Sequence, residues 1–306
     1  MRDIASAAVL SLDVDLTISI VTWNSAADIG NCLASLAGAV GGLTWAAIVV
    51  DNASTDRTAA IVREASPAIR LLVNERNVGF GPGHNLAIRS GVGRRHLVLN
   101  PDTVCHPGSL EQMAHFLDDH PQVAFVGPRV LEPDGKVYPS CRSLPTPGAL
   151  IFRNRILSGL FPNNPYTRGY LMGGIDHSRA AEAGWLSGSC LMVSRGALET
   201  IGLLDERFFM YCEDMDWCRR AHDQGWQVFY EPAATITHLR GRSSDQKIPQ
   251  MLIEHHRSMW KYYCKHERSR RPAWWTAGVG LAIASRAVLL VLVHYYYRMR
   301  GIARRR

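Results

Sequence analysis

Residues 16–56, LTISIVTWNSAADIGNCLASLAGAVGGLTWAAIVVDNASTD, combine two hydrophobic periods. Leu16–Thr22 and Ala46–Val50 are short apolar runs rich in β-branched residues, a composition typical of buried strands. Between them, Ala26–Leu36 has its apolar residues at helical spacing. A strand, a helix and a second strand in this order predict a βαβ unit, in which the two strands run parallel.

The alternation of strands and helices continues to residue 131. Further strands are predicted at Ile69–Val73, His96–Leu99 and Val123–Val126, and helices at Asp56–Glu64, His84–Ser90 and Leu110–Asp119. This alternation predicts an α/β fold with a Rossmann-like, mostly parallel sheet that has helices on both faces. Such sheets bind ligands beyond the carboxyl ends of their strands, so the polar segments that follow the strands form the candidate site.

Residues 132–183 lack clear periodicity and are rich in Pro, Gly and Arg. We interpret them as a long excursion that forms a mobile loop over the site. Regular structure is predicted again at Gly184–Ser194, followed by helices at Arg195–Ile201 and near Asp214–Gln224, a strand at Gln227–Tyr230 and a helix at Met251–His266.

The charge of the chain is unevenly distributed. The 306 residues carry a formal net charge of +7, yet residues 265–306 contain ten Lys/Arg and a single acidic residue. Residues 1–264 therefore have a slight negative charge, which does not suit a nucleic-acid-binding surface. We expect a domain at 1–264, a basic C-terminal segment at 265–306 and no nucleic-acid partner.

The seven cysteines are scattered and form no CxxC pair. This pattern argues against a disulfide framework and a structural zinc site, and it favours a reducing compartment. Met1–Asp15 contains three aspartates and no long apolar run, so it does not predict a signal peptide.

Trp274–Tyr297 reads WWTAGVGLAIASRAVLLVLVHYYY, and only Arg286 and His294 interrupt its apolar character. About 20 apolar residues suffice to span a bilayer, and aromatic residues at both ends are typical of membrane interfaces. Arg286 near the middle costs about 2.5–3.5 kcal/mol in hydrocarbon, a cost that a helix lying in the interface avoids. We predict a membrane-associating helix, spanning or peripheral. The alternative is a buried helix of a soluble protein.

Acidic residues follow two of the predicted strands. Asp51 ends the second strand, where a carboxylate can accept a hydrogen bond from N3–H of uracil or thymine, and we favour this role over helix capping. Asp56 is better placed to cap the next helix. Asp102, in Asn100-Pro101-Asp102-Thr103 after the fourth strand, suits either a turn or a divalent cation on a diphosphate.

Glycines alternate in Gly79-Phe80-Gly81-Pro82-Gly83, which suggests close approach of the backbone to a ligand. Dinucleotide-binding folds instead place GxGxxG directly after the first strand. At that position this chain reads TWNSAADIG, residues 22–30. A nucleotide-dependent oxidoreductase is therefore disfavoured.

The densest cluster of candidate residues is DERFFMYCEDMDWCRR, residues 205–220. Glu213, Asp214 and Asp216 crowd the first turn of a predicted helix, where the helix dipole stabilises one or two acids. A carboxylate held beside another can have a raised pKa, as a general base requires. His238 is either a metal ligand or a hydrogen-bonded loop residue.

In their order and combination, seven motifs resemble those of the family 2 inverting glycosyltransferases with the GT-A fold. The similarity is greatest to the rhamnosyltransferase-like branch that builds bacterial surface polysaccharides, and it extends over about residues 16–264. The motifs are VTWN (21–24), DNASTD (51–56), NVGFGPGHN (77–85), NPDT (100–103), GWLSGSCLMVSR (184–195), DERFFMYCEDMDWCRR (205–220) and THLRGRSS (237–244).

The resemblance implies a donor site. Asp51 would contact the nucleotide base, with Thr22 and Asn24 nearby. The other implied residues are Asn77, Gly79 and Asn85 around the nucleotide, and Trp185, Ser187 and Gly188 around the donor sugar or the acceptor.

The resemblance also implies a metal and a base. Asp102 and His238 would hold Mg²⁺ or Mn²⁺ on the diphosphate. Asp214 would deprotonate the acceptor hydroxyl, with support from Glu213. The family's Asp-x-Asp motif reads Asn100-Pro101-Asp102 here, and the missing first carboxylate predicts weaker metal binding.

The implied activity is metal-dependent, inverting transfer of a sugar from a nucleotide-diphosphate donor to a hydroxyl of a lipid-linked or polysaccharide acceptor. It would serve bacterial cell-envelope synthesis at the cytoplasmic face of the membrane. The favoured donor is dTDP-rhamnose, and the alternative within the family is a UDP-hexose or a UDP-galactofuranose donor. A noncatalytic carbohydrate- or nucleotide-binding membrane protein is a third possibility, and the acids at 213–216 argue against it.

Overall fold

The computed structural model describes residues 14–146, 164–172, 174, 176–239 and 248–300. Most of the N-terminal segment, part of the 132–183 excursion, residues 240–244 of the last motif and the final six residues lie outside this range. The predictions for those segments are therefore not addressed by the structure.

One mixed sheet forms the centre of the molecule. The strands of the described part are β1 (Leu16–Thr22), β2 (Trp45–Asp51), β3 (Ile69–Val73), β4 (Arg95–Leu99), β5 (Thr103–Cys105), β6 (Val123–Leu131), β7 (Val137–Tyr138), β8 (Cys141–Arg142), β9 (Ala181–Glu182), β10 (Trp185–Leu186), β11 (Cys190–Ser194) and β12 (Gln227–His238). The main path of the sheet has the order β3-β2-β1-β4-β11-β6-β12-β5, while β8 and β10 form a separate pair.

Helices lie on both faces of the sheet. They are α1 (Ile29–Ala39), α2 (Thr58–Ala65), α3 (Phe80–Ser90), α4 (Ser109–Asp119), α5 (Pro165–Tyr170), α6 (Arg195–Ile201), α7 (Glu213–Asp223), α8 (Ile248–His266) and α9 (Ala273–Met299), with a 3₁₀ turn at Arg268–Arg270. The predicted α/β class is confirmed. Most helices and strands begin and end within a few residues of their predicted bounds.

The first half of the sheet follows from the apolar runs in the sequence. β3, β2, β1 and β4 pair in parallel, and every residue of β1 is buried. Leu16, Ile18 and Ile20 pack with α1 and α4 on one face, whereas Val21 packs with α3 on the other. Each such aliphatic side chain stabilises the fold by about 1.5–3 kcal/mol when buried.

Six of the eight strands on the main path point the same way, and β11 and β5 run against them. β11 begins at Cys190, which pairs with Leu99 at the carboxyl end of β4. The segment 132–189 both leaves β6 and enters β11 at this carboxyl edge. Because the chain is not returned to the amino edge, β11 has to run antiparallel to its neighbours.

β12 is longer than the predicted strand, since it continues to His238 through an irregularity between Glu231 and Thr235. A bulge of this kind accommodates Pro232, which lacks an N–H for the ladder. Glu231 Oε1 accepts a hydrogen bond from the backbone N of Ala233 at 2.8 Å. His238 is therefore the last residue of a strand and not a loop residue.

α3 begins at Phe80, four residues before its predicted start, and contains the glycine run. A Cβ on Gly81 would lie 3.6 Å from Leu204, and one on Gly83 would lie 2.9 Å from Val21. Gly79 precedes the helix with a φ of +101°, and a Cβ there would lie 2.5 Å from the carbonyl oxygen of Phe209. The glycines thus allow the backbone of α3 to pack closely against neighbouring segments of the protein, where the sequence predicted close approach to a ligand.

α9 is the C-terminal helix predicted to associate with a membrane. None of its 27 residues is buried, and within the described chain it is the one helix long and apolar enough to cross a bilayer. Its first half contacts α8: a Cβ on Gly280 would lie 3.2 Å from the Trp260 ring, and Arg286 Nη1 lies 3.4 Å from His256 Nε2. The structure therefore contradicts the alternative prediction of a buried helix.

We predict that Gly79→Ala destabilises the protein by about 1–3 kcal/mol, because the new Cβ would occupy a glycine-only backbone conformation against Phe209. Thermal unfolding of the detergent-solubilised chain, followed by tryptophan fluorescence, should show a lower midpoint. Gly196→Ala in α6 is the control, since nothing lies within 4 Å of its added Cβ. The control should keep or raise the midpoint; an unchanged midpoint for Gly79→Ala would contradict the packing described.

Candidate active site

The predicted site segments meet at one edge of the sheet. β1, β2 and β4 are parallel and end together at this edge. β11 begins there, where Cys190 pairs with Leu99. β12 ends there, where His238 pairs with Thr103. The carboxyl edge therefore gathers residues from five separate parts of the chain, as open α/β sheets do at their ligand sites.

Asp51 is buried at the end of β2, and both of its carboxylate oxygens are hydrogen-bonded. Oδ1 accepts from Thr22 Oγ1 at 2.9 Å and from Ser54 Oγ at 2.5 Å. Oδ2 accepts from the backbone N of Ser54 at 3.0 Å. An ionised carboxylate oxygen accepts more than one hydrogen bond, so Asp51 is fixed in place and retains capacity for a ligand N–H. Thr22 acts on the site by orienting Asp51.

Asn24 holds the segment after β2 against the segment after β1. Its backbone N donates to Ser54 Oγ at 2.8 Å, and its Oδ1 accepts from the backbone N of Thr55 at 2.8 Å. Asp56 Oδ1 accepts from the backbone N of Thr58, the first residue of α2, but the N-cap position itself is Arg57 and not Asp56 as predicted. Burial opposes ionisation of Asp56, but the bonds from Thr58 outweigh it and lower the pKa.

Asn77 and Asn85 shape the backbone around α3. Asn77 Oδ1 accepts from the backbone N of Gly79 at 2.9 Å and fixes the turn into the helix. Asn85 is fully buried. Its amide donates to the carbonyl of Leu204 at 2.8 Å and accepts from the backbone N of Leu204 at 3.0 Å; it also donates to Glu206 Oε1 at 2.9 Å. Asn85 therefore fixes the position of α3 against the segment that precedes α7.

Asp102 and His238 form a pair whose geometry fits a divalent cation. His238 Nε2 lies 3.0 Å from Asp102 Oδ1 and 3.2 Å from Asn100 Nδ2. Two ligands about 2.1 Å from one cation and about 90° apart are about 3.0 Å from each other. In the described chain no group of three or more His, Cys, Asp or Glu is arranged to hold a metal. Substrate phosphates and water would have to complete the coordination, as is usual for Mg²⁺.

The loop Ser187–Ser189 joins this pair to Asp214. On one side, the carbonyl of Ser189 accepts from the backbone N of Asn100 at 2.9 Å. On the other, the backbone N of Gly188 donates to Asp214 Oδ2 at 2.9 Å. Asp102 and Asp214 therefore share one edge of the molecule with a single short loop between them, which is the arrangement that a reaction between two substrates requires.

The segment before α7 is strained. Tyr211 and Cys212 have φ values of +71° and +66°, and non-glycine residues in this region cost about 1–3 kcal/mol each. Contacts from both sides hold the segment: the backbone N of Phe80 donates to the carbonyl of Phe209 at 2.7 Å, and Ser258 of α8 donates to the carbonyl of Met210 at 2.8 Å. The strained backbone of Tyr211 and Cys212 thus determines the direction in which α7 begins.

Glu213 and Asp214 are those first residues, and burial raises the pKa of both. The charge of Asp214 raises the pKa of Glu213 further. Asp214 accepts from the backbone N of Gly188 and of Met215, at 2.9 and 2.8 Å, which favours its charged form. Glu213 Oε2 is buried without a hydrogen-bond partner in the part of the chain described. Burial and the charge of Asp214 therefore make Glu213 the harder of the two acids to ionise.

Asp216, the third acid of the cluster, is structural. It is fully buried, and its carboxylate lies 3.0 Å from Arg220 Nε, 2.6 Å from Lys265 Nζ and 2.7 Å from His266 Nε2. Burial alone would raise the pKa of Asp216, but these partners lower it. Lys265 and His266 were not predicted, because nothing in the sequence pairs α8 with a helix that lies some 50 residues earlier.

Of the three residues predicted to line the donor sugar or the acceptor, Gly188 contacts Asp214, and Trp185 and Ser187 come just before it in the chain. Trp185 is in β10, which leads directly into the loop. Opposite it in β8 lies Arg142, which sequence reasoning missed. Arg142 belongs to the aperiodic excursion, where no hydrophobic pattern indicates which residue faces the site.

A sheet of this order, with a carboxylate–histidine pair and a second carboxylate one loop apart at its carboxyl edge, has the architecture of a GT-A glycosyltransferase. The sequence profile of Glycosyl transferase family 2 matches residues 17–202, and the chain belongs to this family. The predicted family and fold are confirmed, and the chain is a glycosyltransferase.

Comparison with individual proteins agrees with this assignment. The N-acetylglucosaminyl-diphospho-decaprenol L-rhamnosyltransferase of Mycobacterium tuberculosis is 33% identical over 253 residues, which cover 78% of this chain and 81% of the relative. Mannosyltransferase PcManGT from Pyrobaculum calidifontis, solved with GDP-Man and Mn²⁺, has a TM-score of 0.56 at 17% identity, covering 94% of this chain and 81% of that one. TarS 1–349 from S. aureus, solved with UDP-GlcNAc, has a TM-score of 0.55 at 18% identity, covering 80% of this chain and 64% of that one.

The raised pKa of Glu213 predicts a pH dependence of stability. A carboxyl group whose folded pKa is raised contributes stability below its ordinary value of 4.5 and loses it as the pH rises through the folded pKa. We expect the wild-type unfolding midpoint to fall across this range and Glu213→Gln, which stays neutral, to remove most of the fall. Thermal unfolding between about pH 5 and pH 9 measures this. Glu199→Gln, in an exposed pair with Arg195, should behave as wild type. If the midpoint of Glu213→Gln fell with pH as steeply as that of the wild type, the raised pKa of Glu213 would be refuted.

Proposed function

We propose that this glycosyltransferase moves L-rhamnose from dTDP-rhamnose to a hydroxyl of a lipid-linked acceptor, with inversion at the anomeric carbon, in bacterial cell-envelope synthesis. The observation that carries the proposal is the position of Asp102–His238 and Asp214 on two sides of the loop Ser187–Ser189. The mycobacterial relative supports the sugar and the acceptor class, since it is named for L-rhamnosyl transfer to N-acetylglucosaminyl-diphospho-decaprenol.

In this proposal Asp51 accepts the N3–H of the thymine ring. Its bonds to Thr22 and Ser54 support the role, because a carboxylate that is already oriented loses little freedom when the nucleotide binds. Asn24, Asn77 and Gly79 would shape the backbone beside the nucleotide. Asn85 would contribute through α3.

Asp102 and His238 would hold the divalent cation, Mg²⁺ or Mn²⁺, on the donor diphosphate. When bound, the cation offsets the charge of the diphosphate and makes it a better leaving group. The 3.0 Å separation of Asp102 Oδ1 and His238 Nε2 supports this role. Asn100 stands where the family has a carboxylate, so we expect weaker metal affinity than that of an Asp-x-Asp site.

Asp214 would take the proton of the acceptor hydroxyl as that hydroxyl attacks the anomeric carbon from the face opposite the leaving diphosphate. General base catalysis contributes about 10²–10⁴-fold, and alignment of two substrates across one loop contributes more. Glu213, whose pKa burial and the charge of Asp214 raise well above its ordinary value, would keep its proton and leave the charge on Asp214. Trp185, Ser187 and Gly188 would line the donor sugar or the acceptor beside this base.

The alternative within the family is a UDP donor that carries another hexose or galactofuranose. A carboxylate at Asp51 accepts equally well from uracil and thymine, because both rings have an N3–H at the same place. TarS, which shares the fold, is solved with UDP-GlcNAc. A panel of donors therefore decides between the two.

The full chain in detergent with Mn²⁺, given a synthetic N-acetylglucosaminyl-diphospho lipid, is expected to transfer sugar from dTDP-rhamnose in preference to UDP-hexoses and UDP-galactofuranose. Asp214→Asn should lower kcat by about 10²-fold or more and keep the thermal shift caused by donor with Mn²⁺. Asp102→Ala should lose both. Asp119→Asn, an exposed acid at the end of α4, is the control. Normal turnover by Asp214→Asn would show that the base is wrongly assigned.

We further propose that the catalytic domain ends with α8, beyond the predicted boundary at residue 264, and that the remaining C-terminal segment attaches it to the cytoplasmic face of the membrane. All seven cysteines are free, which supports a reducing compartment. The exposed apolar surface of α9 supports attachment. Lys265 and His266 bind Asp216, so we move the working boundary to residues 267–272, after α8.

Deleting residues 272–306 should release the protein from vesicles that contain anionic lipids, because α9 supplies the apolar and basic surface for attachment. α8 stays in this variant, so the contacts of Ser258 and Lys265 with the catalytic domain are kept. Activity on a soluble acceptor analogue should persist. Sedimentation with vesicles measures attachment, and unchanged sedimentation would argue against the segment as the anchor.

A further inference from the structure

Arg142 lies beside the site, and the reaction described above does not use it. In the antiparallel pair of β8 and β10, Arg142 is directly opposite Trp185. Directly paired residues on antiparallel strands project to the same side. β10 leads into the loop that donates from Gly188 to Asp214, so Arg142 and Trp185 belong to the side of the loop on which Asp214 lies.

Three aromatic rings surround the guanidinium group. Arg142 Cζ lies 5.8 Å from the centre of the Tyr138 ring, 6.0 Å from that of Tyr170 and 5.5 Å from that of Trp185, within the range of cation–π attraction. Nη2 donates to Tyr138 Oη at 2.9 Å and to the carbonyl of Pro139 at 3.1 Å. These contacts orient the guanidinium group, and no carboxylate among the described residues forms an ion pair with it.

Two N–H groups of this pair lack a partner. Arg142 Nε and Trp185 Nε1 are shielded from solvent and donate to no acceptor in the described chain. A buried donor without an acceptor costs about 1–3 kcal/mol, so two adjacent ones indicate a place that a ligand oxygen fills. Because one of the donors is a permanently charged guanidinium, a phosphate oxygen suits the place better than a neutral hydroxyl.

The position of the pair indicates which substrate carries that phosphate. The proposed place of the donor diphosphate is at Asp102 and His238, on the other side of the loop. Burial raises the pKa of Asp214, and the charge of Arg142 opposes that rise, so the guanidinium lies within electrostatic reach of the base. An acceptor sugar with its hydroxyl at Asp214 carries its own phosphate on the anomeric carbon, away from that hydroxyl.

We propose that Arg142 and Trp185 bind the phosphate nearest the acceptor sugar and thereby align the acceptor hydroxyl with Asp214. Tyr138 and Tyr170 hold the guanidinium group in the orientation that binds. The inference rests on the proposed function and adds to it a recognition element for acceptors linked through a diphosphate.

The test compares two acceptors that differ in charge. One is N-acetylglucosamine linked through diphosphate to a short isoprenoid, and the other is the neutral octyl glycoside of N-acetylglucosamine. Arg142→Gln should raise KM for the diphosphate acceptor about 10- to 100-fold, the range expected for lost hydrogen bonds to a charged group. KM for the donor should not change, and KM for the neutral acceptor should change much less than KM for the diphosphate acceptor, because with the neutral acceptor the lost charge acts only through the pKa of Asp214. Arg142→Lys, which keeps the charge without the planar fork, should be intermediate.

Arg179→Gln is the control, since Arg179 is an exposed residue near Asp176, and it should match wild type with both acceptors. An equal loss of activity of Arg142→Gln with both acceptors would overturn the inference in favour of a structural role. A raised KM for the donor would overturn it in favour of the donor phosphate. If the wild type transferred sugar to neither acceptor, both the proposed function and this inference would be wrong. If the wild type were active but Arg142→Gln lost activity equally with both acceptors, only the inference would be wrong.

Discussion

The hydrogen bond from Gly188 to Asp214 connects two halves of the site that come from distant parts of the chain. A Cβ at residue 188 would lie 3.4 Å from the Cβ of Asp214 and 3.5 Å from the ring of Phe80, so the loop fits between α7 and α3 with little room. Its neighbour Ser189 bonds to Asn100. Any shift of this loop would therefore move the Asp102–His238 pair and Asp214 relative to each other, and an error of about 1 Å in the alignment of reacting groups costs about 10²-fold in rate.

A second constraint acts on the base from the opposite direction. Asp216 lies one helical turn from Glu213 and bonds to Lys265 and His266 of α8. Removing one partner of a buried ion pair costs about 3–5 kcal/mol, although the intact pair adds little net stability. These contacts therefore specify the angle of α7 more than they stabilise the fold. Exposed pairs such as Arg89–Glu206 have no comparable effect, because water screens them.

The sequence predicts well whatever depends on local periodicity. β1, β3 and α6 have the predicted bounds, and the polar ends of β1, β2 and β4 converge because parallel strands must end together. Prediction fails where distant segments decide the result. The direction of β11 depends on the edge at which the excursion ends, and the role of Asn85 depends on Leu204. Arg142 has no local signal, since its importance arises from pairing with Trp185. The extension of β12 depends on pairing with β5 and β6, which outweighs Pro232.

The contact between α8 and α9 limits how the C-terminal helix can meet a bilayer. α8 is bonded to the catalytic domain and carries Glu254, Arg257 and Lys261, so it is unsuited to hydrocarbon. α9 contacts it as far along as Arg286. If that contact persists at the membrane, the apolar part of α9 beyond it is residues 287–299, about 20 Å long at 1.5 Å per residue. The hydrocarbon core is about 30 Å thick. A helical segment of that length reaches into one leaflet only, which would make the enzyme monotopic.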